Sequence, residues 1–125
     1  MEIELFLNEL YLKYNIHSYV RWNLAKAPHA VIFGSTGSGK TYATKILLGR
    51  IAKYCPNSQF YVCDFKGDMD FSFLNGTDHY YRFLNCEKGF ADFYDRFKQR
   101  QSGKDAHRNL LLLLVDEWAS YILNL

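Results

Sequence analysis

Between Leu10 and Cys63 the sequence contains no acidic residue. That stretch carries Lys13, Arg21, Lys26, Lys40, Lys45, Arg50 and Lys53, a local balance of +7, whereas residues 1–9 hold only Glu2, Glu4 and Glu9 as charges. From residue 64 onward acidic residues lead slightly, and the whole chain ends at +2. A stretch without counter-charge suits phosphate, on a nucleotide or on nucleic acid, although a solvated basic face has the same composition. Long apolar runs are also missing. The longest obvious one, Leu110 to Val115, falls far short of the ~18 residues a membrane span needs. The acidic N-terminus is opposite in charge to a secretion signal. Cysteine is scarce: Cys55, Cys63 and Cys86 form no C-x-x-C pair, and three thiols cannot all be paired within one chain. A reducing, cytoplasmic compartment is therefore expected, with a membrane anchor elsewhere in a longer protein left open. His17, His29, His79 and His107 show no metal-like spacing, which argues against structural zinc. Aromatic residues, in contrast, are plentiful: ten Tyr, ten Phe and two Trp in 125 residues supply enough apolar surface to exclude disorder and to build one core.

Residues 3–14 place Ile3, Phe6, Leu7, Leu10, Tyr11 and Tyr14 at spacings of three and four, which predicts an amphipathic helix. Residues 1–23 then read as this helix and a lead-in, and residues 24–125 as the N-terminal part of a second domain. Pro28 disfavours helix at Ala27, and His29 to Phe33 reads as a buried strand. Behind Gly34 to Thr41, the stretch Tyr42 to Tyr54 sets Ala43, Ile46, Leu47 and Ile51 on one helical face, and Pro56 and Asn57 end that helix. Gln59 to Cys63 predicts a second strand, Gly67 to Asp78 a loop and Tyr80 to Leu84 a short third strand. Gly89 to Arg100 predicts a helix with Phe90, Phe93, Tyr94 and Phe97 on one stripe and an Asp92–Arg96 pair at i,i+4. Leu110 to Val115, continuously apolar, reads as a strand buried on both faces and ending in Asp116 and Glu117. Strands alternating with helices predict an α/β fold with a parallel sheet.

Gly34-Ser35-Thr36-Gly37-Ser38-Gly39-Lys40-Thr41 satisfies G-x-x-x-x-G-K-S/T, with the strand before and the helix after that the motif requires. Chance would produce this pattern in roughly 0.5% of chains this long, before the flanking elements are demanded. The glycines let successive N–H groups turn inward toward the β-phosphate of ATP, and the following helix aims its positive dipole end at the same place. Lys40 bridges the β- and γ-phosphates in such a loop, and Thr41 offers a hydroxyl to Mg2+. Asp116 and Glu117 end the most apolar run, where carboxylates are costly unless something receives them. Asp116 suits the residue that holds Mg2+ through its water shell, and Glu117 the base that polarises the attacking water. Asp64 and Lys66 follow the second strand and share the C-terminal rim with the phosphate loop. They are counted among the cofactor-binding candidates, with nucleotide, magnesium, a neighbouring subunit or an ordinary rim ion pair all open as their partners. Lys45, Arg50 and Lys53 have the charge to meet DNA phosphates or to form a solvated helix face.

Three motifs together resemble the motor domain of FtsK/SpoIIIE-type DNA translocases. Leu24-Ala25-Lys26-Ala27-Pro28-His29, running through Ala30 to Thr41, is similar to that family's L-A-K-x-P-H lead-in, apolar strand and G-x-T-G-S-G-K-S/T signature. Asp64-Phe65-Lys66-Gly67 is similar to its D-P-K motif, with Phe65 in the proline's place, and Asp116-Glu117-Trp118-Ala119 to its D-E-F-A. Coupling ATPases of conjugative elements share the pattern. The resemblance implies a P-loop NTPase (RecA-like) parallel sheet flanked by helices, ATP and Mg2+ as cofactors, and a hexameric ring that moves double-stranded DNA, with sites completed by an arginine from the adjacent subunit. The chain stops at Leu125, before the family's next strand with its polar sensor residue, so the sheet is expected to be incomplete and hydrolysis by this chain alone weak. Two other classes remain in view: a non-catalytic nucleotide-binding or assembly fragment, and a small-molecule kinase, for which no arginine-rich lid is visible.

Overall fold

The computed structural model describes residues 2–7, 13–17, 19–24, 26–29, 31, 40–66, 69–107 and 109–117. No helix among them is long and apolar enough to cross a membrane. The chain divides into two compact units, Met1–Pro56 and Asn57–Leu125.

In the first unit, strand β1 (Glu2–Leu7) pairs antiparallel with β2 (Tyr19–Asn23). The helix expected over residues 3–14 is thus replaced over 2–7 by strand, while 8–12 lie outside the described residues. Glu-Ile-Glu-Leu alternates with the period of a strand as well as fitting a helix, and six residues make a marginal helix in water. The cross-strand partner decides between them. The register runs Glu2↔Asn23, Ile3↔Trp22 and Glu4↔Arg21, then slips between Glu4 and Phe6 to Phe6↔Val20 and Leu7↔Tyr19, with Leu5 the extra residue of a bulge. Arg21 donates to Glu4 across the pair at 3.3 Å, an exposed contact of small worth. Past β2, the Lys26 amide donates to Asn23 Oδ1 and the Ala27 amide to the Asn23 carbonyl, a turn that delivers the chain to Pro28. His29 and Val31 lie in irregular backbone; the rest of the strand expected from His29 to Phe33 is outside the described residues.

Helix α1 (Lys40–Tyr54) follows and packs in this unit against β1. Its buried residues are Thr44, Leu47, Leu48 and Ile51, a stripe rotated from the predicted one, with Ala43 and Ile46 only half-buried. Asn57, at φ 60°, adopts the left-handed conformation that asparagine tolerates.

The second unit is a three-stranded parallel sheet of order β4-β3-β5, where β3 is Gln59–Asp64, β4 Tyr80–Arg82 and β5 Leu111–Asp116. The predicted loop between β3 and β4 contains 3-10 turns over Met69–Leu74, with Phe71 fully buried. Parallel strands of one sheet need long crossovers, and helix α2 (Cys86–Gln101) supplies the one from β4 across β3 to β5. Register partners point to the same face, so Tyr61, Cys63, Tyr81, Leu111, Leu113 and Val115 all face one side, where they cluster with Cys86, Phe90 and Phe93 of α2. The Phe93 ring meets Tyr61 edge-on at 5.6 Å. Phe90 and Phe93 pack as expected, but Tyr94 and Phe97 from the same predicted stripe are exposed, because the covered face of the last turns is the one that carries Arg96 and Arg100. The α/β class with a parallel sheet is as predicted. β5 is half-buried at every residue rather than buried on both faces, and among the described residues its ladder partner is β3 alone.

Gly89 is where α2 comes nearest the sheet: a Cβ there would lie 2.6 Å from Cys63 Sγ and 2.6 Å from Tyr81 Cδ2. The Tyr81 hydroxyl then reaches past it to donate to Asp92 at 2.6 Å, and Lys88 donates to the same carboxylate oxygen at 2.7 Å. Arg96, predicted to pair with Asp92, instead donates to Asp105 at 3.4 Å. Asp105 is buried and needs several donors; it also receives Arg100 at 3.3 Å, the His107 amide at 3.0 Å and the His107 ring at 2.6 Å. These contacts hold its carboxyl well below the usual carboxylate range, the His107 amide first among them. Arg100 further donates to the Asn109 carbonyl at 2.6 Å, so the end of α2 is tied to the approach to β5.

Candidate nucleotide site

Parallel sheets present their functional loops at the C-terminal ends of the strands. Here β3 and β5 run in strict register from Gln59↔Leu111 to Asp64↔Asp116, so the two predicted rim aspartates end up as direct neighbours. The Phe65 amide donates to the Asp116 carbonyl at 3.4 Å and extends the ladder just beyond them. Both side chains leave the sheet on the face opposite α2, by the alternation that sends Cys63 and Val115 toward it. Asp64 is 0% exposed. A carboxylate excluded from water has to be received by donors, and the Tyr80 hydroxyl donates to its Oδ2 at 3.1 Å. Lys66, two residues past β3, is exposed.

Glu117 directly follows the strand at φ 63°. A left-handed backbone costs a residue with a Cβ about 1 kcal/mol or more, and such residues gather at functional sites. On the protected side of the rim, burial pushes the Cys63 thiol up to about 12 and the Cys86 thiol up to about 11. Both are neutral at physiological pH and act as packing groups rather than nucleophiles.

Of the predicted phosphate-binding residues, Gly34, Ser35, Thr36, Gly37, Ser38 and Gly39 lie outside the described residues, as does the side chain of Lys40. Among the described residues α1 runs from Lys40, with no acidic residue in its first turn to oppose an anion. Thr41 sits in that first turn, half-buried. Of the cations on α1 beyond Lys40, Arg50 lies over the Tyr19 ring at 5.4 Å and Lys53 over the Tyr54 ring at 5.2 Å, while Lys45 is half-buried.

The donor set suits magnesium. That ion prefers hard oxygen ligands and takes only one or two protein carboxylates, and the rim offers two aspartates in register. A hollow of about 310 Å³, lined among others by Gln59, Phe60, Val62 and His79, opens beside β3 and β4. Tyr80 is also in its lining, whereas Asp64, Arg82 and Asp116 are not.

Two residues at the rim carried no functional prediction. Tyr80 and Arg82 share β4, and Arg82 is the register partner of Asp64, so a row of Arg82, Asp64 and Asp116 crosses the three strand ends. The signal available was the period of two in Tyr-Tyr-Arg, which sets the first and third residues on one face once the strand's neighbour is known.

The family model described as the central domain of helicase HerA matches residues 6–119. No curated protein and no solved structure matches.

Proposed function

The chain belongs to the helicase HerA central-domain family, a P-loop ATPase family, and on that premise we propose that it is the ATP-binding part of an ATP-driven motor for double-stranded DNA. The observation that carries the reading is the register that sets Asp116 beside Asp64 at the C-terminal rim of a parallel sheet. In the proposed site the loop Gly34 to Gly39 wraps the β-phosphate with backbone N–H groups, and Lys40 neutralises the β- and γ-phosphates. Thr41 and Asp116 would hold the magnesium, and Asp64 is the register neighbour of Asp116. The ion, when bound, offsets the charge that builds up on the transferring phosphoryl group. Glu117 accepts a proton from the attacking water. Movement of DNA in the FtsK/SpoIIIE manner, a hexameric ring and a cytoplasmic location all belong to this proposal. Its DNA contacts are to phosphate and weaken as salt rises.

Titration of fluorescent ATP into the chain, with and without Mg2+, tests the reading. Mg2+ is expected to tighten binding and Lys40→Ala to abolish it. Equal binding by Lys40→Ala would remove the phosphate loop from the account. Salt-dependent binding of duplex DNA of unrelated sequences tests the partner, and a preference for a metabolite acceptor in its place would favour a kinase.

A further inference from the structure

We propose that Tyr80 is a positioning residue of the nucleotide site: its hydroxyl fixes the Asp64 carboxylate beside Asp116, and the magnesium affinity of the site depends on it. The inference rests on the reading above, in which Asp64 belongs to that site.

The geometry begins with the register. Val62 pairs with Tyr80, and Asp64 lies two residues further along β3 on the same face. Two strand residues advance the backbone by roughly 6.6 Å, about the reach of a tyrosine from Cα to hydroxyl. A ring at position 80 lying along the strand therefore brings its O–H to the carboxylate at position 64, and the 3.1 Å bond to Oδ2 is the result. No shorter side chain at this position spans the gap, and phenylalanine spans it without a donor.

A second feature holds Tyr80 in place. His79, the residue before it, has φ 66°, a left-handed conformation that a residue with a Cβ adopts only when its surroundings impose it. Two contacts do so. The Val62 amide donates to the His79 carbonyl at 2.9 Å, and the His79 ring stacks on Tyr61 at 4.0 Å with an interplanar angle of 15°. Both anchors are on β3, the strand that ends in Asp64. The turn into β4 is thus fastened to the same strand whose carboxylate it orients.

Outer partners that orient a ligating carboxylate alter metal affinity by 10- to 100-fold when removed. Tyr80→Phe removes the hydroxyl alone. Magnesium titrated against fluorescent ATP bound to the chain should show an apparent Mg2+ affinity about 10-fold weaker in this variant, while nucleotide binding in EDTA stays the same. Asp64→Asn should weaken Mg2+ dependence at least as much, and adding Tyr80→Phe to it should cause little further loss, since the two act through one bond. Asp64→Glu keeps the charge but displaces the carboxylate by a methylene, and should reproduce the Tyr80→Phe loss; it carries the test if Tyr80→Phe does not fold. An unchanged Mg2+ dependence in Tyr80→Phe alongside a loss in Asp64→Asn overturns the proposal and leaves the nucleotide site standing. No effect from Asp64→Asn overturns both the proposal and the place of Asp64 in the site.

Discussion

Two helical glycines in this chain should respond to the same substitution with opposite signs. Alanine is favoured over glycine in a helix interior by about 0.8–1.0 kcal/mol. At Gly49, on the exposed side of α1, an added Cβ meets nothing within 4 Å. Gly49→Ala should therefore stabilise by close to the full propensity difference, about 1 kcal/mol. At Gly89 the same methyl would sit 2.6 Å from Cys63 Sγ, 2.6 Å from Tyr81 Cδ2 and 2.9 Å from Tyr81 Cγ, where non-bonded heavy atoms prefer about 3.5–4.0 Å. Relief requires a shift of more than about 1 Å, and neither neighbour gives way easily. Cys63 is fully buried in the central strand, and Tyr81 is pinned at its far end by the 2.6 Å bond to Asp92. Overpacking of this kind costs about 1–3 kcal/mol; with both neighbours held, the upper end applies, and after the propensity gain Gly89→Ala should destabilise by about 2 kcal/mol. The two variants then differ by about 3 kcal/mol, read as midpoints of urea unfolding followed by circular dichroism. Cys63→Ala in the Gly89→Ala background should recover part of the loss, giving a coupling of about 1 kcal/mol in a double-mutant cycle. A Gly89→Ala chain as stable as the parent would refute the claimed close approach of α2 to the sheet.

Asp105 makes the acid limb of stability. Its carboxyl is held low by the His107 amide, the His107 ring and two arginines, so its contribution is present above the unfolded value near 4 and is lost as pH falls through the lower folded value. Melting temperature measured from pH 6 to pH 2 should fall in the parent chain, whereas Asp105→Asn should be less stable at pH 6 and show a flatter acid limb; parallel curves would contradict the assignment. At Glu117, glycine relieves the left-handed backbone and should raise stability by roughly 1 kcal/mol, while Glu117→Gln should leave ATP bound and slow its turnover greatly. Loss of stability in Glu117→Gly would mean that the φ of 63° carries no strain.

Local sequence was decisive wherever one element carried its own signal. α1 and α2 have long patterns of period near four with clear ends, and Gln59–Asp64 and Leu111–Asp116 are runs too short and apolar for anything but strands. The N-terminus misled because Glu2–Leu7 satisfies two periods at once and only pairing with β2 selects one. Arg96 was placed with Asp92 by helix spacing, but a buried aspartate outside the helix competes more strongly for its guanidinium. Tyr94 and Phe97 were given to the core by the same spacing, whereas the buried Asp105 draws Arg96 and Arg100 onto the covered face of those turns.

What the sequence determined by itself is the chemistry on offer: a phosphate-loop motif, a basic stretch without acidic residues, and carboxylates at the ends of two apolar strands. These follow from residue types and spacings along the chain. The tertiary structure decided which of them meet. Asp64 and Asp116 are far apart in sequence, and a slip of one residue between β3 and β5 would turn one of them to the opposite face; the observed register sets them together and brings Tyr80 to one of them. Register depends on how whole strands pack their two faces, a property of the assembled sheet that no single strand contains.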